Sequence, residues 1–285
     1  MVRRSIRGEA ILVSALSYDP ILRGFLALLI VGAVFPLNGV FILRLNLIAL
    51  RFMLMHGALL GGAIALGLNL DPLVLAIVFD LALVLIIAAV SRNSSLNAGN
   101  VTIFLMVLTV GLAVIVIYRF GVTAKDTLAI LWGSLFALSA LDLFLTILFS
   151  IMTLLFVVTS FRRIKAVLFN RDIAFSSGIR ADLYHNVILL ITGITVAFCM
   201  RLIGALLLDA LLLLPAIAGS LFARSMKGLF VLAALFGVLS SLSGFFLSLA
   251  VDIPVSSAVT IVASLILGIG IISRRFRKPG TKNAT

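Results

Sequence analysis

An all-α, polytopic membrane protein of eight or nine transmembrane helices is the fold class this chain predicts, on three observations. Of 285 residues, 63% are hydrophobic and 11% charged, whereas soluble domains carry about 25% charged residues; mean hydropathy is +1.34. Apolar runs of about 18 residues or more, each able to cross a hydrocarbon core about 30 Å thick, recur along the chain. The net charge of +12 resides in Arg and Lys gathered in loops and tails, as cytoplasmic loops and lipid headgroups require, and is not a nucleic-acid signal.

Taken in order, the spans are expected at residues 21–43, 47–68, 73–90, 101–118, 138–160, 184–201, 202–223, 229–251 and 256–273. The apolar stretch at 10–16 is short and runs into Tyr18, Asp19 and Pro20, so no cleavable signal is expected. Residues 1–20 are instead expected as an interfacial arm. Pro36 and Pro215 fall inside spans, where each frees a carbonyl and bends its helix. Gly57 with Gly61, and Gly237 with Ser241, form small-xxx-small pairs that let helices approach closely in lipid. Residues 128–138 are too apolar for an exposed loop and are expected to dip into the bilayer or join the fifth span. The whole chain, 1–285, is one transmembrane domain without linker or repeat.

The one long polar segment is residues 161–182, FRRIKAVLFNRDIAFSSGIRAD. Its basic start, the Arg224–Lys227 turn and the basic tail at 274–282 are expected on the cytoplasmic side, with turns 69–72 and 252–254 outside. Nine spans then place the amino terminus outside, where Arg3, Arg4 and Arg7 are unwelcome. Either the arm lies on the outer surface or the count is off by one. A channel has no need of such a segment, whereas a transporter driven by a separate motor needs a projecting helix to be gripped. Asp172, Ala174, Gly178 and Arg180 are its candidate contact residues, with Gly178 permitting the turn that ends the short helix.

Ionisable groups at membrane depth are few and are functional candidates by default. Asp142 and Arg201 lie near span ends and are expected to reach water. Arg51 and Asp80, on neighbouring spans, are expected as a structural ion pair. His56 and Asp209 lie about ten and seven residues into their spans, near the midplane at about 1.5 Å per residue. An imidazole and a carboxylate are suited to zinc or manganese; a His hydrogen-bonded between helices and a protonated Asp capping carbonyls freed near Pro215 is the other account. Cys199 and Met200 could add soft ligands, but a lone thiol in an apolar helix is more often a small core residue. There is no P-loop, H-E-x-x-H, G-x-S-x-G or Cys cluster, and the only other His is His185. Neither an enzyme nor a cofactor bound by this chain is expected.

Four stretches resemble the membrane permeases of zinc, manganese and iron ABC importers. RLIGALLLDALLLLPAIAGSLFARS (Arg201 to Ser225) is similar to that family's Leu-Leu-x-x-Pro-Ala signature followed by Ala-Arg, and continues to an outer Asp-Ile-Pro turn at Asp252. MHGALLGGAIALGLNLDP (Met55 to Pro72) resembles its His-Ala-x-x-Gly segment. LFNRDIAFSSGIRAD (Leu168 to Asp182) is similar to its Asp-x-x-x-Ala-x-x-x-Gly coupling segment, and WGSLFALSALDL (Trp132 to Leu143) to the run before it. The chain departs from the family at Phe52, where an Asp usually stands four residues before the His, and at Asp209, usually small or apolar.

The resemblance implies a homodimeric permease in the cell membrane, a separate cytoplasmic ATPase, an extracytoplasmic solute-binding protein, and divalent zinc, manganese or iron as cargo moved by alternating access. A proton-coupled secondary transporter, with Asp80 or Asp209 as carrier, is the alternative from another class. No inverted repeat with paired broken helices supports it.

Overall fold

The computed structural model describes residues 18–93, 98–122 and 135–276. Twelve α-helices and one short 3₁₀ turn occur among them. In order they are α1 (Asp19–Arg44), α2 (Ile48–Leu68), α3 (Pro72–Asn93), α4 (Ala98–Arg119), the 3₁₀ turn (Leu135–Ala137), α5 (Ala140–Thr159), α6 (Phe161–Phe169), α7 (Arg171–Ser176), α8 (Ala181–Leu202), α9 (Gly204–Leu212), α10 (Leu214–Phe222), α11 (Met226–Val251) and α12 (Val255–Phe276). Eight of them are long and apolar enough to cross a membrane. The pair α9–α10 supplies a ninth, broken pass. The expected polytopic helical class is the observed one. The arm at 1–17, Trp132 and the stretch 128–134 lie outside the described residues.

The starts and stops follow local chemistry. Pro20 sits in the first turn of α1, where a missing N–H costs nothing. Asn69 ends α2 in the left-handed conformation, which Asn tolerates better than most residues. Asp71 then caps α3, its carboxylate accepting from the N–H of Leu73 at 2.7 Å. At α5 a reciprocal capping box joins Ser139 and Asp142. Asp142, expected to reach for water, is instead 6% exposed and committed to this cap.

α1 is the central element, packing against α11, α5 and α9. α4, α5 and α12 lie at the periphery, and their outward Phe104, Ile115, Leu155 and Leu265 are more than half exposed, as a lipid-facing surface requires. α2 packs on α3 and α4, and α8 closes against both α2 and α3.

The expected small-residue faces are where helices touch. A Cβ on Gly61 would meet the Leu75 carbonyl oxygen of α3 at 2.7 Å. Gly237 of α11 faces the Gly32 carbonyl of α1, and a Cβ there would collide with it. Gly32 lies four residues before Pro36, so its carbonyl has lost the N–H it would otherwise accept. The glycine lets α11 come close enough to cover that orphan. Gly237→Val should therefore lower the melting temperature in detergent by several degrees, with Ser240→Ala, on the same helix, as a milder reference.

The expected seventh span, 202–223, is not one helix. It breaks at Gly204, with φ +77°, and again at Leu213. Pro215, in the first turn of α10, cannot donate to the carbonyl four residues back. α1 passes directly over this second break, where a Cβ on Gly39 would collide with the Leu212 carbonyl.

The ends of the passes can be matched. A cleft of about 670 Å³ gathers Asn46 from the α1–α2 turn, Ile87 of α3, Gly99 of α4, Arg171 and Asp182 from the polar segment, and His185 of α8. These ends share one face. Gly24, early in α1, touches Leu135 and Phe136, placing the start of α1 at the opposite face with the 3₁₀ turn. With nine passes among the described residues, the start of α1 lies on the face opposite the polar segment. In a Cys199→Ala background, Ser177→Cys should be labelled only from the cytoplasm and Ser256→Cys only from outside. Labelling of either from the other side refutes this arrangement.

Candidate functional site

Two regions hold the residues singled out above. The first is the polar segment 161–182, which forms a compact helix pair. α6 is amphipathic and buries Ile164, Val167 and Leu168 against the bundle. Asn170 then caps α7, its side-chain oxygen accepting from the N–H groups of Asp172 and Ile173 at 2.9 and 3.0 Å. α7 ends in a Schellman closure. Ile179 N–H donates to the Ala174 carbonyl at 3.1 Å and Gly178 N–H to that of Phe175 at 2.9 Å. Gly178 takes φ +77° to allow it. Arg171, at the start of α7, donates to Asp182 of α8 at 2.7 and 3.0 Å. Arg163 of α6 donates to the Tyr184 hydroxyl at 2.7 Å.

Ala174 does not face outward. It is 1% exposed and packs with Val167 and Ala181, so it docks α7 onto its own chain rather than into a partner's groove. Asp172, Gly178 and Arg180 are exposed. Two residues missed in the sequence complete this surface: Ile173 and Phe175, 55% and 69% exposed. Their signal was present, as two large apolar side chains flanking the small Ala174 in a six-residue helix. Being apolar, they were indistinguishable by type from membrane residues.

The second region is at depth in the bundle. Arg51 of α2 is not paired with Asp80; its guanidinium forms an ion pair with Asp209 of α9. The Arg51 side chain is 2% exposed and that of Asp209 46%. The guanidinium lies 4.0 Å over the centre of the Phe52 ring, a cation–π contact strengthened by desolvation. The expected Arg51–Asp80 partnership fails because α3 meets α2 on another face. Asp80 Oδ1 lies against Gly57, whereas Arg51 points to the side carrying Phe52. Neither oxygen of Asp80 has a hydrogen-bond partner among the described residues, and the residue is 0% exposed.

His56 stands one turn beyond Phe52 on the same face. Its Nδ1 lies 2.7 Å from the Phe52 carbonyl oxygen, to which it can only donate. In the neutral ring that leaves Nε2 as the nitrogen able to act as a ligand. Phe52 is 38% exposed and His56 half-buried, so this side of α2 is not covered by the rest of the chain. Among the described residues the Asp209 side chain caps no carbonyl; its backbone carbonyl accepts from Leu213 N–H at 3.1 Å. Cys199 and Met200 are core residues, 0% and 2% exposed. The Arg201 side chain lies outside the described residues. A buried link from Asn38 Nδ2 of α1 to Thr195 Oγ1 of α8, 2.9 Å, ties the inner helices together.

This architecture has known counterparts. The chain is 24% identical over 270 residues to the manganese transport system membrane protein MntC of Halalkalibacterium halodurans, with 92% of each chain covered. It is 23% identical to the high-affinity zinc uptake system membrane protein ZnuB of Haemophilus influenzae, covering 83% of this chain and 90% of that one. Among solved structures, PsaBC from Streptococcus pneumoniae in complex with Fab superposes with a TM-score of 0.79 at 24% identity, covering 91% of this chain and 94% of that one. An inward-facing metal-chelate type ABC transporter gives a TM-score of 0.72 at 18% identity, with 91% and 88% covered. The ABC 3 transport family matches residues 17–274, nearly the whole chain, and the protein belongs to that family.

Proposed function

We propose that this chain is the membrane permease of an ATP-driven importer of divalent metal ions. It would work by alternating access as a homodimer in the cell membrane, with a separate cytoplasmic ATPase and an extracytoplasmic solute-binding protein. The observation that carries this reading is α7. A six-residue helix is pre-formed by the Asn170 cap and the Gly178 closure, is pinned by Arg171–Asp182, and exposes Ile173 and Phe175. Such a rigid apolar knob beyond the bundle suits a groove on a motor subunit, which moves it to rock the bundle. The relatives named for manganese and zinc transport support the cargo class.

His56 and Asp209 are the residues we assign to the path. One imidazole and one carboxylate with water would hold a divalent ion loosely, as a conduit must. His56→Ala and Asp209→Ala should each reduce metal uptake strongly while leaving assembly with the ATPase intact. The double variant should be little worse than either single one, since both act at one site. Unchanged uptake per folded molecule in both single variants would remove these residues from the path.

Asp80 is the observation that favours a second reading, a proton-coupled secondary transporter. An ionised carboxylate wholly buried without a partner costs several kcal/mol, a trait of intramembrane proton carriers. Asp80→Asn keeps the shape and removes the titration. ATP-driven uptake should survive it; its loss with assembly intact would favour the proton-coupled alternative.

A further inference from the structure

On the reading of this chain as a divalent-metal permease, we propose that Arg51 is a tethered cation that closes the path by holding the Asp209 carboxylate until a divalent ion displaces it. The pair is asymmetric. The Arg51 side chain is 2% exposed and Asp209 46%, so the guanidinium is rooted in the bundle while the Asp209 side chain is left half uncovered by the rest of the chain. An incoming ion can reach Asp209 without first unpacking α2. Phe52 holds the guanidinium in place from the same open side, 4.0 Å away, and His56 follows one turn later. Arg51 Nε has no hydrogen-bond partner among the described residues. The guanidinium is therefore not clamped by a network of acceptors that would make the pair permanent.

Charge explains the consequence. With Arg51 on Asp209 the two charges cancel, and a metal ion is offered only the imidazole of His56. With Arg51 displaced, the Asp209 carboxylate is released, and the His56 ring, one turn beyond Phe52 on α2, is the second ligand we assign to it. A monovalent ion gains little from this exchange, because it replaces one positive charge with another and competes with a tethered group of high effective concentration. A divalent ion brings twice the charge and binds the imidazole as well. The closed pair thus admits divalent cargo while resisting the abundant monovalent ions.

The test is titration of the full-length permease in detergent with Mn²⁺ alone, followed by calorimetry. Arg51→Met should tighten Mn²⁺ binding by about tenfold, as expected if the pair occupies the site about nine-tenths of the time. His56→Ala in that background should abolish the gain, a result that a merely structural Arg51 would not give. Phe52→Leu, at an exposed position, should shift affinity the same way by less, and it decides the matter if Arg51→Met does not fold. Equal Mn²⁺ affinity in the wild type and both variants overturns the gate while leaving the metal reading intact. Absence of Mn²⁺ binding from all three proteins overturns the gate together with that reading.

Discussion

Gly178→Val and Ala174→Arg are each expected to abolish stimulation of ATP hydrolysis by the permease while leaving it in the membrane. Their physical causes differ. Gly178 has open space where a Cβ would go, so no clash arises. The difficulty is its φ of +77°, which costs a non-glycine residue roughly 1–2 kcal/mol, and a β-branched one more. The Schellman closure opens, and α7 loses the stop that fixes its direction. Gly178→Asn, tolerating this conformation better, should retain most of the stimulation. Ala174→Arg acts from the other side. It forces a charged side chain into the contact with Val167 and Ala181, so α7 lifts from α8 and the knob of Ile173 and Phe175 is misplaced. Phe175→Ala should reduce stimulation without affecting stability, because the ring is largely exposed. Full stimulation in Gly178→Val and Ala174→Arg, measured on reconstituted complex, would take α7 out of the mechanism.

The second large effect concerns Asp209. Asp209→Ala leaves Arg51 buried without its counter-charge, a change that costs on the order of 3 kcal/mol when a pair is fully buried. The cost should be smaller here because the carboxylate is half exposed. A drop in melting temperature is thus expected along with the loss of transport. The two effects separate in the double variant Arg51→Met/Asp209→Leu, in which an apolar pair replaces the charges. Stability should return to near the wild-type value, as apolar replacements of buried pairs often permit, while metal uptake stays lost. Recovery of uptake together with stability would make the pair a structural element only.

Much of the fold was legible because hydrocarbon thickness leaves few options for an apolar run. Spans at 47–68 and 229–251 match α2 and α11 within a few residues, and the small-residue faces at Gly57, Gly61 and Gly237 lie at real contacts. The break at Leu213 was half visible. Pro215 announced a bend, but the separation into α9 and α10 depends on α1 passing over it at Gly39, a long-range contact. Site pairing was less legible. Arg51 and Asp80 lie on neighbouring helices with opposite charges, yet the rotation of α2 turns Arg51 toward α9. Only three-dimensional packing fixes that rotation, since α2 is apolar nearly all round. Ala174 was recognised as part of the projecting segment, but burial reverses its facing. A six-residue helix is too short for its periodicity to show which side docks.

ATP-dependent metal accumulation in proteoliposomes tests the central claim most directly. The vesicles would contain the permease with its ATPase, Mn²⁺ or Zn²⁺ would be presented with the solute-binding protein, and ATP would be on the motor side. Accumulation that requires ATP hydrolysis and collapses in both Gly178→Val and His56→Ala is the predicted result. Accumulation driven by a pH gradient without ATP, and lost in Asp80→Asn, would contradict it.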